Sequence, residues 1–414
     1  MFRSATILLT KVNWLDAFAS QWIEEVLLMS LVVFRLLTMF RLQFAVLLLI
    51  FLSISVAPIV NADLQNSKLH KVVFISPGHS GHGFWKAVTD TMNAAAEQLG
   101  FQLEVHHADR QWVTMVHKAE NVIARPDKPD FLILVNEYQQ GARLLALAEK
   151  ADIPTIMLLN SLTPDQRVIY GKPRERLKNW LGSLTPDNKI AGYEMAKSLV
   201  RDVNIREKNK PQPIPLLTFA GDNTSPASLY RLQGLDRALN DFPMLKEQRR
   251  FSVNWSKDEA YKRTRLWLQS GQKLGAVWAA NDAIGLGSIK AIREAGLKPG
   301  HDVRVSGLNW SKEAIKHVIN GEMTLSHGGH FLAGAWVMVM LYDYVHGHDF
   351  KAISTEVHFP MTAMTQANAS DYLEHFENQQ WSKINFKDFS LSNTPSYQFT
   401  LAKLLQSVSQ SERR

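Results

Sequence analysis

Beyond residue 70 the chain alternates short apolar runs with apolar stripes at helical spacing. Val72 to Ile75 is an unbroken apolar run closed by Pro77-Gly78, the form of a strand buried on both faces. Phe84, Val88, Met92, Ala95 and Leu99 then recur on one helical face, and Gly100 follows as a stop. The rhythm continues through Leu103–Val105, a helix around 111–124, the run Phe131–Val135, a helix over about 139–151, and Thr155–Leu159. Four strands alternating with helices predict a parallel sheet.

The same rhythm restarts with a strand at Ile214–Ala220, a helix at Ser225–Leu239, a strand at Phe251–Val253 and a helix at Asp258–Leu268. Residues 276–296, AVWAANDAIGLGSIKAIREAG, join a strand through a polar corner to a small-residue helix, and Val303–Leu308 leads to a helix near Ser311. Two βα arrays of similar size predict an α/β fold of two similar lobes with parallel sheets, although no repeat exists at residue level. Residues 160–181, with Pro164, Gly171 and Pro173, read as an excursion over the surface. Asp187–Val203 reads as a helix, Met323–Ser326 as a strand, His327–Tyr344 as a strongly apolar helix and Val357–Met361 as a last strand. The expected layout is a first lobe of 63–184 plus 327–354 and a second of 185–326 plus 355–365, with crossings near 184, 327 and 354. The tail 366–414 reads as a cap or surface strap.

Residues 39–62 have a positive start at Arg41, an apolar core from Phe44 to about Phe51 and compact residues at Val60 and Ala62. This is the pattern of a secretory signal peptide cleaved after Ala62, and Ser53, Ser55 and Pro58 interrupt it as a spanning helix. Residues 1–38 are an extra segment, with translation expected to start at Met39. The absence of cysteine excludes disulfides, a thiol nucleophile and a lipid-modified cysteine. Beyond Ala62 there remain 42 basic and 36 acidic residues, scattered without a Lys/Arg block, so no nucleic-acid partner is expected. The chain reads as an exported protein of the periplasm.

Asn281-Asp282 is a polar pair at the carboxyl end of a strand, where an open parallel sheet faces a ligand crevice; Asn281 also suits the cap of the following helix. PTIMLLNS (154–161), PDNKIAGYEMAKSL (186–199), AVWAANDAIGLGSIKAI (276–292) and VRVSGLNWSKEAI (303–315) resemble, in order and spacing, the landmarks of type I periplasmic binding proteins of the ribose and galactose kind. The resemblance covers about residues 70–365 and implies a three-crossing hinge between the lobes. The turn PGHSGHGFW (77–85) is more similar to the autoinducer-2 receptor branch.

Trp85 lies about 100° around the helix from Phe84, off the stripe that faces the sheet, and is free to face the crevice. The resemblance implies that it packs against a ring ligand. His82 and Ser80 in the same turn can hydrogen-bond. Asn160 follows a strand where the family commonly places a ligand contact, Arg231 falls where the autoinducer-2 branch has a binding arginine, and Trp255 corresponds to an aromatic of ribose binders. The amides of Asn281 and Asn309 with the carboxylate of Asp282 offer the mixed donors and acceptors that a polyol needs. Leu159, Leu229 and Asn309 depart from the sugar binders' residues, which leaves the ligand unnamed.

His79 and His82, and again His327 and His330, are spaced three apart. One reading has His82 and His327 hydrogen-bonding an uncharged ligand; the other has the four sharing a metal. The leading expectation is a monomeric, non-catalytic receptor without cofactor or metal. It would close on a small hydroxyl-rich ligand, a sugar, polyol or sugar-like quorum signal, and be read by a membrane ABC permease or a chemosensory sensor kinase. The alternative is a periplasmic enzyme or metal-binding protein using the histidine pairs. Against catalysis stand the missing G-x-G-x-x-G, G-x-S-x-G and H-E-x-x-H motifs. A repressor of the same fold would carry a helix-turn-helix where the leader stands.

Overall fold

The computed structural model describes Met29, Ser30, Arg35 and residues 69–206, 212–376 and 381–411. The expected leader at 39–62, its cleavage site and nearly all of 1–38 lie outside the described residues. Among the described residues no helix is long and apolar enough to cross a membrane.

The first lobe runs β1 (His70–Ser76), α1 (Gly83–Leu99), β2 (Phe101–His107), α2 (Trp112–Ala124), β3 (Phe131–Leu134), α3 (Gly141–Lys150), β4 (Thr155–Leu158), α4 (Pro164–Tyr170) and β5 (Trp180–Pro186). With β11 (Glu356–Phe359) its strands form a six-stranded sheet in the order β11-β5-β4-β3-β1-β2, every pair parallel. The apolar run of β1 is explained by its place in the sheet, because side chains alternate across a strand. Val72 and Phe74 join the core with Val88 and Met92 of α1, whereas Val73 and Ile75 join Met115 of α2 and Leu144 of α3.

The second lobe runs α5 (Asn188–Arg206), β6 (Ile214–Ala220), α6 (Pro226–Asp241), β7 (Leu245–Ser252), α7 (Lys257–Gln269), β8 (Ala276–Ala279), α8 (Asp282–Glu294), β9 (Arg304–Leu308), α9 (Lys312–Ile319) and β10 (Leu325–Gly328). Its sheet has the order β12-β10-β9-β8-β6-β7, parallel except where β12 (Thr362–Met364) runs against β10. The α10 helix (Ala333–Val345) returns to the first lobe, where a Cβ on Gly334 would stand 2.0 Å from the Val88 carbonyl oxygen of α1. Glycine there lets the two helices touch backbone to backbone.

Four points differ from the sequence reading. The excursion at 160–181 contains α4, which Thr163 and Gln166 close with a capping box, and the start of β5. His327 does not open the apolar helix; it sits in β10, and the chain leaves the second lobe at Gly329, whose φ of 92° suits glycine. The last crossing falls between Phe359 and Thr362 rather than near 354, because β11 pairs with β5 from Glu356 against Ser183 to Phe359 against Pro186. Residues 355–359 therefore belong with the first sheet, and the first crossing likewise follows Pro186 rather than Leu184.

The tail packs on both lobes. Tyr372 of α11 (Ala369–Phe376) lies edge-on to Trp310 of the second lobe, ring centroids 5.0 Å apart. Farther on, before α12 (Leu401–Ser411), Phe389 and Phe399 pack on Trp336 of α10 at 4.6 and 4.9 Å. The buried Asp343 carboxylate accepts hydrogen bonds from the Ser390 hydroxyl, the Leu391 amide and the Tyr397 hydroxyl. This cover accounts for a helix that is apolar almost all round: one side meets α1 and the sheet, the other the tail.

Candidate functional site

The carboxyl ends of both sheets face one another across a cavity of about 540 Å³. From the first lobe it is lined by the 78–85 turn, Arg110, Glu137, Leu159 and Asn160; from the second by Arg231, Asn254, Trp255, Lys257, Asn281 and Asn309. Asn188 at the first crossing and His330 at the second complete it. Arg110, Leu159, Asn254, Trp255 and Asn309 all have positive φ, a backbone state that costs an L-residue of order 1–3 kcal/mol and gathers at ligand sites.

Arg231 is the best-buried cation of the site. Its Nε donates to Asn188 Oδ1 at 2.8 Å, one Nη to the Ala280 carbonyl at 2.8 Å, and the other Nη to His330 Nε2 at 3.3 Å. Burial lowers its pKa to about 9, so it remains charged at neutral pH. A guanidinium only donates, so His330 Nε2 is bare and its proton is on Nδ1, which has no partner among the described residues. Burial and then Arg231 hold His330 well below the ordinary histidine range, and its ring stacks on Phe84 at 4.4 Å. The guanidinium is placed by helix packing: a Cβ on Gly192 of α5 would lie 2.0 Å from the Arg231 carbonyl oxygen.

Trp255 is held flat. Its Nε1 donates to Asp222 Oδ2 at 2.7 Å, and a Cβ on Gly221 would stand 2.2 Å from its six-membered ring. Burial works against ionisation of Asp222, but hydrogen bonds from Ser225, Thr224 and Trp255 outweigh it and depress the pKa. Asn281 does what its position suggested: Oδ1 accepts the Ile284 amide at 2.9 Å as the α8 cap, while the residue lines the cavity. Asn160 Oδ1 accepts the Ala227 amide at 2.9 Å, tying the first lobe to the start of α6. Glu137 is buried beside Arg110, 3.8 Å away, and burial raises its pKa.

The structure thus brings His82, Trp85, Asn160, Arg231, Trp255, Asn281 and Asn309 to one cavity. Three expected residues do not line it. Ser80 is exposed in the turn. Asp282 points into its own lobe, where Ser326 Oγ and the Ser311 amide each donate to it at 2.7 Å; burial raises its pKa to about 6. His327 is buried in β10, and His330, one turn later, takes the cavity position. Phe84, assigned from spacing to the core stripe, packs against that core and also walls the cavity with Trp85, which packs on Phe74.

The histidine pairs do not assemble. His79 stacks on His82 at 4.8 Å and reaches Asp109 at 3.1 Å, whereas His330 is engaged by Arg231 and Phe84. Among the described residues no three His, Cys, Asp or Glu side chains come together as a metal site.

Arg110, Glu137, Asn188, Asn254 and Lys257 escaped the sequence reading. Asn136-Glu137 was open to the rule that picked out Asn281-Asp282, a polar pair after an apolar strand. Arg110 carries no local signal, since its left-handed backbone, φ 63°, aims it.

Comparison with known proteins agrees with this geometry. A solved periplasmic sugar-binding protein from Pseudomonas fluorescens is 33% identical, with a TM-score of 0.73 over 81% of this chain and 100% of that one. The galactofuranose-binding protein YtfQ of Escherichia coli (strain K12) is 22% identical over 252 residues, 60% of this chain and 73% of that protein. The fructose import binding protein FruE of Bifidobacterium longum (strain NCC 2705) is 24% identical over 310 residues, 73% and 87% of the two chains. These relatives are binding proteins. The periplasmic binding protein domain model matches residues 72–349, and with two α/β lobes facing across a cavity-lined crevice the chain belongs to the type I periplasmic binding proteins.

Proposed function

We propose that this protein is the substrate-binding component of an ABC importer and holds one neutral sugar or polyol between its lobes. The observation that carries the reading is the composition of the cavity. Aromatic faces at Phe84, Trp85 and Trp255 stand beside the amides of Asn188, Asn254, Asn281 and Asn309 and the guanidinium of Arg231. Apolar ring faces match the C–H faces of a sugar, and mixed amides match hydroxyls that both donate and accept. The relatives named for galactofuranose and fructose favour importer delivery over a sensor kinase or a quorum signal.

In the same reading, the leader at 39–62 exports the chain, with cleavage after Ala62, and the mature protein acts as a monomer. Ser80, Asp282 and His327 drop out of the binding set, and His330 replaces His327. Isothermal titration of the mature chain with pentoses, hexoses and polyols tests the assignment. A saturable ligand whose affinity falls at least tenfold in both Trp255→Ala and Arg231→Met supports it. Binding that survives both substitutions refutes this site.

A further inference from the structure

A second cavity of about 480 Å³ adjoins the first, sharing Leu159, Pro186 and Asn188 as its wall. Both lobes build it. The first supplies Leu162, Pro164 and Arg167 from the excursion after β4, and the second supplies Tyr230 and Pro226 of α6. Its volume lies within the range of roughly 300–1,000 Å³ typical of small-molecule sites.

The charges in this space are matched. The Arg167 guanidinium pairs with the Glu356 carboxylate, and its Nε donates to the Leu162 carbonyl at 3.1 Å. The Lys189 ammonium lies 5.1 Å from the Tyr230 ring centroid, and the Asp187 carboxylate accepts the Ile190 amide at 3.2 Å. His358 Nδ1 meets the Thr185 hydroxyl at 2.9 Å. Two cations face two carboxylates, so the walls favour a neutral polar guest over an anion. Tyr230, Pro226, Pro164 and Leu162 add the apolar surface on which a sugar ring packs. Asn188 stands where the two cavities meet, its Oδ1 held by Arg231 at 2.8 Å.

We propose that this second interlobe cavity is a subsite for a second ring, so that the protein takes a neutral disaccharide or glycoside with one unit in each cavity and the linkage beside Asn188. The inference rests on the sugar-receptor reading above and extends it. Isothermal titration of the full mature chain with matched pairs tests it: D-galactose against lactose and melibiose, D-fructose against sucrose, and D-glucose against maltose. At least one disaccharide binds tenfold or more tightly than its free monosaccharide. Tyr230→Ala then removes that advantage while monosaccharide affinity stays within twofold, which also reports that the variant folds; Tyr230→Trp retains it.

Monosaccharide binding with no gain from a second ring overturns the subsite and leaves the receptor reading standing. The same holds for a gain that survives Tyr230→Ala. Failure of every sugar of either size, and of the pentoses and polyols named above, overturns both.

Discussion

Acidification tests the buried histidines quantitatively. His327 is 4% exposed, its Nδ1 has no partner among the described residues, and burial followed by the charge of Arg231 lowers its pKa from 6.5 to about 4. A histidine with a depressed folded pKa contributes stability above its unfolded pKa and loses it as pH falls toward the folded value, because unfolding then takes up a proton. Between pH 7 and pH 4.5 the loss amounts to about 2–3 kcal/mol for His327. His330 acts in the same direction.

Asp282 opposes them: its pKa is raised to about 6, so the folded state gains stability as pH falls through that value. The total pH profile sums opposing contributions, so the informative quantity is a difference. In urea unfolding at both pH values, wild type should lose about 2–3 kcal/mol more on acidification than His327→Phe, whatever packing change the substitution brings at pH 7. Parallel profiles within about 0.5 kcal/mol would show that His327 titrates normally, which contradicts its burial.

Trp336→Ala removes an indole that is 1% exposed and stacked on the tail; chemical denaturation should register a loss of about 3–5 kcal/mol. Gly192→Ala places a methyl against the Arg231 carbonyl oxygen, so ligand titration should show weakened affinity as α6 moves away from α5, together with a lowered melting temperature. Asn281→Ala removes the α8 cap, costing about 1 kcal/mol in thermal unfolding, and also weakens ligand binding, whereas a purely structural cap would leave affinity unchanged.

Much of the fold is written in local pattern. Strands buried on both faces favour apolar residues throughout, so β1, β3, β4, β6 and β8 stand out as largely apolar runs between turns. Helices covering those faces repeat their apolar residues at helical spacing, and Asn281 marks both a strand end and a helix start, because capping is a local need.

The chain alone therefore determined the two βα arrays and the polar strand ends that became most of the cavity. Only the tertiary structure decided which strand-end groups face across it. Neighbouring Asn281 and Asp282 part company because the orphan amide of Ser311 and the hydroxyl of Ser326, supplied by distant segments, draw the carboxylate inward. His330 rather than His327 reaches the cavity because β10 pairs with β9 through His327 and with β12 through Gly328, which delays the turn out of the second lobe. β11 joins the first sheet through its register with β5, a partnership some 170 residues apart that no local periodicity encodes. The second cavity is set in the same way, by where the excursion after β4 comes to rest against α6. Backbone pattern is governed by burial along one strand or helix, whereas a cleft is made by side chains whose partners lie on the other lobe.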